Sequence, residues 1–184
     1  MRKQLFITLC FTVLSPAWVQ ADDSLSWSYL DASYIDLDTD VNGIDAEPDG
    51  YKLKLSLNVI GNLFLQASRT ESDGRNYDFD SEGYGFGFHG DFFYASYTYN
   101  TWDFGRIETD VDTLRFGLRS QLTDRFEFNA SYSWNDIEDF ENEDGFQVGL
   151  VFQVVDFLDL FAEYETIGGD YDLDQLSVGV RINF

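Results

Sequence analysis

The chain ends Leu176-Ser177-Val178-Gly179-Val180-Arg181-Ile182-Asn183-Phe184, and in it apolar and polar residues alternate strictly. Successive side chains on a β-strand point to opposite faces, so this stretch is a strand with one apolar and one polar face. Ser177, Gly179, Arg181 and Asn183 form the polar row, and the terminal Phe184 belongs to the apolar row. A strand of a soluble sandwich turns its apolar row to a core and runs out into a loop. A row that stays apolar to the last residue fits a surface that meets lipid, with the polar row turned to an interior.

Working back from this strand, the same period recurs. Tyr51, Leu53, Leu55, Leu57 and Val59 alternate with Lys52, Lys54, Ser56 and Asn58. Leu63, Leu65 and Ala67 follow after the turn Ile60-Gly61-Asn62, opposite Phe64, Gln66, Ser68 and Thr70. Tyr84, Phe86 and Phe88 stand opposite Gly85, Gly87 and His89; Phe93, Ala95, Tyr97 and Tyr99 opposite Tyr94, Ser96, Thr98 and Asn100. Leu114, Phe116 and Leu118 oppose Thr113, Arg115, Gly117 and Arg119, and Phe126 to Trp134 repeat the pattern against Arg125, Glu127, Asn129, Ser131 and Ser133. Phe146 to Val154 and Leu158 to Tyr164 complete the series before the closing strand. The first strand, within Ser24 to Leu37, is the least regular: Leu30, Ala32 and Tyr34 lie on one face and Asp31 and Ser33 on the other, but Trp27 and Tyr29 blur the phase.

Short turns at Gly61-Asn62, Gly90-Asp91, Thr123-Asp124 and Val155-Asp156 alternate with longer acidic connections. The latter run Asp38 to Asp49, Glu71 to Glu82, Asp103 to Asp110 and Asp136 to Asp144, with Gly168-Gly169-Asp170 before the last strand. Strands near nine to eleven residues joined in this asymmetric way predict an all-β, antiparallel up-and-down transmembrane β-barrel with short periplasmic turns and longer outer connections. The count is about ten strands, with eight as the alternative. An even count places both termini on the periplasmic side.

The chain opens Met1-Arg2-Lys3, runs almost without charge from Leu5 to Val19, and reads Val19-Gln20-Ala21 before Asp22-Asp23. This is the pattern of a secretory leader, too short to span a bilayer, so residues 1–21 are expected to be cleaved and 22–184 to form the barrel. Cys10, the one cysteine, leaves with it, and packing and a closed hydrogen-bond network must hold the rest. The formal net charge is -23, which argues against nucleic acid as a partner. Aromatic residues make up 18% of the chain, as expected of two interfacial girdles. Tyr51, Tyr84, Tyr97, Tyr99, Tyr132, Trp134 and Tyr164 fall near the outer ends of their strands, and Phe93, Phe126 and Phe184 near the inner ends.

With these strands in hand, the chain resembles the small bacterial outer-membrane β-barrels, the OmpA/OmpX-like and opacity-type group, over Leu25 to Phe184. The terminal aromatic is similar to the C-terminal assembly signal of such barrels, which implies that Phe184 is read by the barrel-assembly machinery. The resemblance further implies residence in the outer membrane of a Gram-negative bacterium, contact with lipopolysaccharide, and a role in envelope integrity, adhesion or host interaction. The count of about ten strands departs from the eight usual in that group, and peptidoglycan anchoring is not expected to carry over.

Chemistry has four places to sit. In the interior, Lys52, Lys54, Arg115, Arg119, Arg125 and Arg181 share the polar faces with Glu127, Asp159, Glu163 and Glu165. Buried charges must pair, so these are expected to form a lumen charge network that fills a small barrel. The sharper alternative is a narrow pore whose basic wall favours anions. On the outer side the acid clusters read as a solvated rim, or as a divalent-bridged contact to lipopolysaccharide phosphates or a basic partner. No EF-hand spacing occurs, and no metal or cofactor is expected. Barrel enzymes such as lipid A-modifying enzymes and omptin proteases work at the outer side, whereas His89, the one histidine, falls at the periplasmic mouth, so a non-enzyme is expected. Trp102, on a loop edge, is the one aromatic placed to act as a sugar platform. The chain is thus read as a monomeric barrel of structural or adhesive role acting through acidic outer loops, with a small pore as the alternative and a barrel enzyme third.

Overall fold

The computed structural model describes residues 25–41, 44–74, 78–105, 108–138, 142–168 and 171–184. The leader and its cleavage site lie outside them. The strands are β1 (Tyr29–Val41), β2 (Ile44–Ala46), β3 (Asp49–Ile60), β4 (Leu63–Asp73), β5 (Phe79–His89), β6 (Phe93–Asp103), β7 (Glu108–Thr123), β8 (Phe126–Ile137), β9 (Glu143–Val155), β10 (Leu158–Ile167) and β11 (Tyr171–Asn183). Each long strand pairs antiparallel with its sequence neighbour, and β11 pairs with β1, so ten strands close a barrel; β2 adds three residues to the outer end of β1. This is the all-β barrel the periodicity predicts, with ten strands rather than eight.

The register fixes the shape. From Thr39 on β1, the paired residues run through Leu173, Ile167, Gly145, Ser133, Arg115, Ser96, Gly87, Phe64 and Asn58. Asn58 lies level with Trp27, two residues below the Ser56–Tyr29 pair, so one circuit slips from 39 to 27, a stagger of 12 residues. Such a stagger requires strands tilted roughly 35–45° to the barrel axis.

The outward row of the central band is apolar: Leu53, Leu65, Phe86, Phe116, Leu150, Leu160 and Val178 are exposed. In a bilayer these side chains meet lipid. Tyr51, Tyr84, Tyr97, Tyr132, Trp134 and Tyr164 ring the outer boundary of this band. There the Tyr34 hydroxyl donates to Asp49 at 2.9 Å, and those of Tyr97 and Tyr132 donate to Asp112 and Asp144. Phe93 and Phe126 lie exposed at the opposite end.

The acidic connections differ from expectation. Most of their length is strand: β1 runs on to Val41, β4 to Asp73, and β7 begins at Glu108. The reason is a change of phase. Below Tyr34, β1 turns Leu30 and Ala32 outward; above it, Asp36 and Asp38 are exposed while Ile35 and Leu37 are buried inside. The same switch occurs on the neighbours, where Phe79, Trp102, Val111, Ile137, Ile167 and Leu173 point inward and join one buried cluster with Phe104. Alternation continues past the apolar outward band with its polarity inverted, which in sequence reads as a polar loop. The strand ends thus form a collar, acidic outside and apolar inside. Trp102 belongs to this core at 7% exposure, so it offers no sugar platform; its inward phase, not a loop edge, sets its place.

Candidate functional site: the barrel lumen

Below the apolar cap the interior is polar and arranged in layers. At the end of the barrel where β11 finishes, the Arg181 guanidinium donates two hydrogen bonds to the Asp31 carboxylate, at 2.8 and 2.9 Å. Arg181 is on β11 and Asp31 on β1, directly opposite in the register, so the pair spans the seam where the barrel closes. The guanidinium also lies 4.0 Å over the Tyr29 ring. Arg119 donates to both Glu127 oxygens at 2.7 and 2.9 Å, and Arg181 Nη1 stands 3.8 Å from Glu127. Asn183 donates to Asp159 at 2.7 Å.

Higher in the lumen, Arg115 crosses from β7 to donate to Glu165 on β10 and to Gln147 on β9. Lys52 Nζ stands 3.8 Å from the same Glu165. Lys54 has Glu163 and Asp31 as electrostatic neighbours. Above these, Thr113 donates to Asn135 at 2.9 Å, and Gln66 on the facing wall donates to Thr98 at 2.6 Å.

The structure therefore places Lys52, Lys54, Arg115, Arg119, Glu127, Asp159, Glu163 and Arg181 in the lumen. Arg125 is the exception: it is exposed in the turn between β7 and β8, because β8 begins only at Phe126 and the alternation was extended one residue too far. Asp31 enters the network although the irregular first strand hid its role. Its signal was its place on the face opposite Leu30 and Ala32. Phe184 stays on β1's side of the seam, its amide donating to the Ser28 carbonyl at 3.1 Å.

Lys52, Lys54, Arg115, Arg119 and Arg181 share the interior with Asp31, Glu127, Asp159, Glu163, Glu165 and the buried Glu143; Lys52 and Arg115 bridge to Glu165, Arg119 to Glu127 and Arg181 to Asp31. Charges withdrawn from water are tolerated when they are paired and hydrogen-bonded, and the bridges to Asp31, Glu127 and Glu165 meet that need for Arg181, Arg119 and Arg115. A cavity of about 150 Å³ remains between the charged wall and the hydroxyl and amide wall of β4 and β6. The apolar cluster, through Phe79, Trp102, Ile167 and Leu173, lines it above, and Trp27, buried and stacked on His89 with ring centroids 4.5 Å apart, lines it below.

No family model matches the sequence, and no curated protein matches it. Among solved structures the chain is similar to the translocator domain of the autotransporter NalP from Neisseria meningitidis, at 10% identity and a TM-score of 0.52. That match covers 100% of this chain and 95% of that one. It is also similar to Neisserial surface protein A, at 16% identity and a TM-score of 0.46, covering 86% of this chain and 98% of that one. A third likeness is to the KdgM porin, at 9% identity and a TM-score of 0.48, covering 85% and 99%. At these identities the likeness is one of fold. The fold shared with the NalP translocator domain is a closed β-barrel, and no match singles out the OmpA/OmpX-like group.

Proposed function

We propose that this protein is a closed, non-conducting barrel of the bacterial outer membrane, monomeric and non-catalytic, that serves the envelope as a structural or adhesive component. One observation carries the reading: the inward cations lie among carboxylates, with Arg115, Arg119 and Arg181 in salt bridges to Glu165, Glu127 and Asp31, between an apolar cap and a buried tryptophan. A basic wall that would favour anions is neutralised by its own carboxylates, which argues against the pore alternative. The one histidine is stacked face to face with Trp27 rather than free to act as a base, which argues against a barrel enzyme.

The interaction surface is the rigid collar above the membrane, whose outward residues include Asp36, Asp38, Glu71, Asp80, Asp112 and Asp136. Lipopolysaccharide and cell-surface or host ligands are its partners, and the assembly machinery reads Phe184. The test is single-channel recording of the refolded mature chain in planar bilayers, with heat-modifiable gel mobility as the folding control. A folded, silent barrel is expected. A steady open state with anion preference overturns the reading and makes the inward Arg and Lys residues a conduction path.

A further inference from the structure

We infer that residues 25–28 form a strap across the periplasmic mouth, one that opens the lumen without unbuttoning the wall. Its anchor points lie on opposite sides of the barrel. Ser28 is still held at the wall: its carbonyl accepts from the Phe184 amide, and its hydroxyl accepts from the Asn58 amide at 3.1 Å. One residue back, the Trp27 carbonyl accepts from the Ser56 hydroxyl at 2.9 Å while its side chain points into the lumen. The Ser26 carbonyl then accepts from Arg119 at 3.1 Å. Arg119 is on β7, which in the order of the sheet stands five strands from β1, the far side of a ten-strand barrel.

The Trp27 ring completes the closure. It lies parallel to the His89 ring, at 8° and 4.5 Å, and stacks on Phe64 at 5.1 Å. Tyr94 meets it edge-on at 5.5 Å, and the Arg119 guanidinium covers it at 4.5 Å. Four successive strands, from β4 round to β7 on the far side, thus grip one side chain of the N-terminal segment, and Trp27 is 7% exposed.

What holds the strap differs in kind from what holds the wall. Each wall strand is tied to two neighbours by a full antiparallel ladder, whereas beyond Ser28 the strap is tied by the Trp27 and Ser26 carbonyls and one ring. Segments with few hydrogen bonds open at lower free energy than the structure around them. One buried ring and a few hydrogen bonds hold the strap, against the ladders of ten strands, so its release lies below global unfolding. The cavity above would then communicate with the periplasm while the apolar cap kept the outer end shut. This inference rests on the proposed closed barrel, but it is read by access to the lumen rather than by current, so each fails separately.

The reporter is Ser96→Cys, an inward position on β6 that is 4% exposed and lines the cavity. Cys10→Ser makes it the one thiol of the full chain. A small charged methanethiosulfonate is applied to the folded protein in micelles, and unfolding is followed in parallel by gel mobility. With Trp27 intact, labelling is expected to outpace unfolding, and Trp27→Ala is expected to accelerate it at least about tenfold with Trp27→Phe between. Labelling no faster than unfolding, or a folded Trp27→Ala barrel labelled at the unaltered rate, overturns the strap. Should Trp27→Ala fail to fold, iodide quenching of Trp27 in a Trp18→Phe, Trp102→Phe, Trp134→Phe background decides. Quenching several-fold below that of free tryptophan upholds the closure, and quenching equal to it refutes it.

Discussion

Arg181→Ala removes the guanidinium that bridges the closing seam. Arg181 is 4% exposed and Asp31 5%, so the substitution leaves a buried carboxylate without its bidentate partner. Removing one member of a buried pair costs about 3–5 kcal/mol, most of it the penalty of the stranded charge. The register places the outcome near the lower bound. Lys54 on β3 stands directly opposite Asp31 on the other side of β1, close enough in the ladder to turn toward it. We therefore expect a loss of about 3 kcal/mol, on the order of a hundredfold in the folding equilibrium. Adding Lys54→Met should deepen the loss, whereas Asp31→Leu combined with Arg181→Met, which replaces the pair by apolar groups of similar shape, should recover most of it. The assay is equilibrium urea unfolding in lipid vesicles, read by heat-modifiable mobility and far-ultraviolet circular dichroism. A single-variant loss below about 1 kcal/mol, or a double apolar replacement no better than Arg181→Ala, would refute the pairing argument.

Other consequences can be checked separately. Leu150→Arg, on the outward row of β9, should cost about 2–4 kcal/mol in a bilayer, and a cost near zero would place this surface outside lipid. Gly117→Val should cost about 1–3 kcal/mol by overpacking, because a Cβ there would meet the Tyr94 ring at 2.3 Å; Tyr94→Leu in the same chain should restore much of the stability in the urea assay. Trp102→Ala in the apolar cap should cost about 3–5 kcal/mol, while the surface removal Arg125→Ala should change the urea midpoint little. If the collar carboxylates form a solvated rim, EDTA and added Ca²⁺ should leave the thermal transition unchanged, and a reproducible shift would reveal a divalent site.

Much of the barrel was legible because period two survives any loop chemistry. Tyr51 to Val59 and Phe146 to Val154 declare their lipid-facing rows residue by residue, and the inward Lys and Arg positions follow as the complementary row. Partners were not legible. Arg115 and Glu165 are 50 residues apart, and Arg181 and Asp31 are 150 apart, so nothing local records that they meet. The collar was misread for a different reason. Asp36 and Asp38 interrupt the apolar row of the first strand, and only a closed barrel shows that Ile35 and Leu37 have taken over as an interior row.

By itself, the sequence determined the strands, the face each turns to lipid, and the end at which both termini lie, since alternation and turn spacing are properties of the chain as written. The tertiary structure decided which charges pair, where the lumen changes from polar to apolar, and that Trp27 reaches the wall opposite its own strand. Those outcomes depend on closure: β11 meeting β1 at a stagger of 12 residues brings distant positions to one level and encloses the side chains that a flat sheet would leave apart.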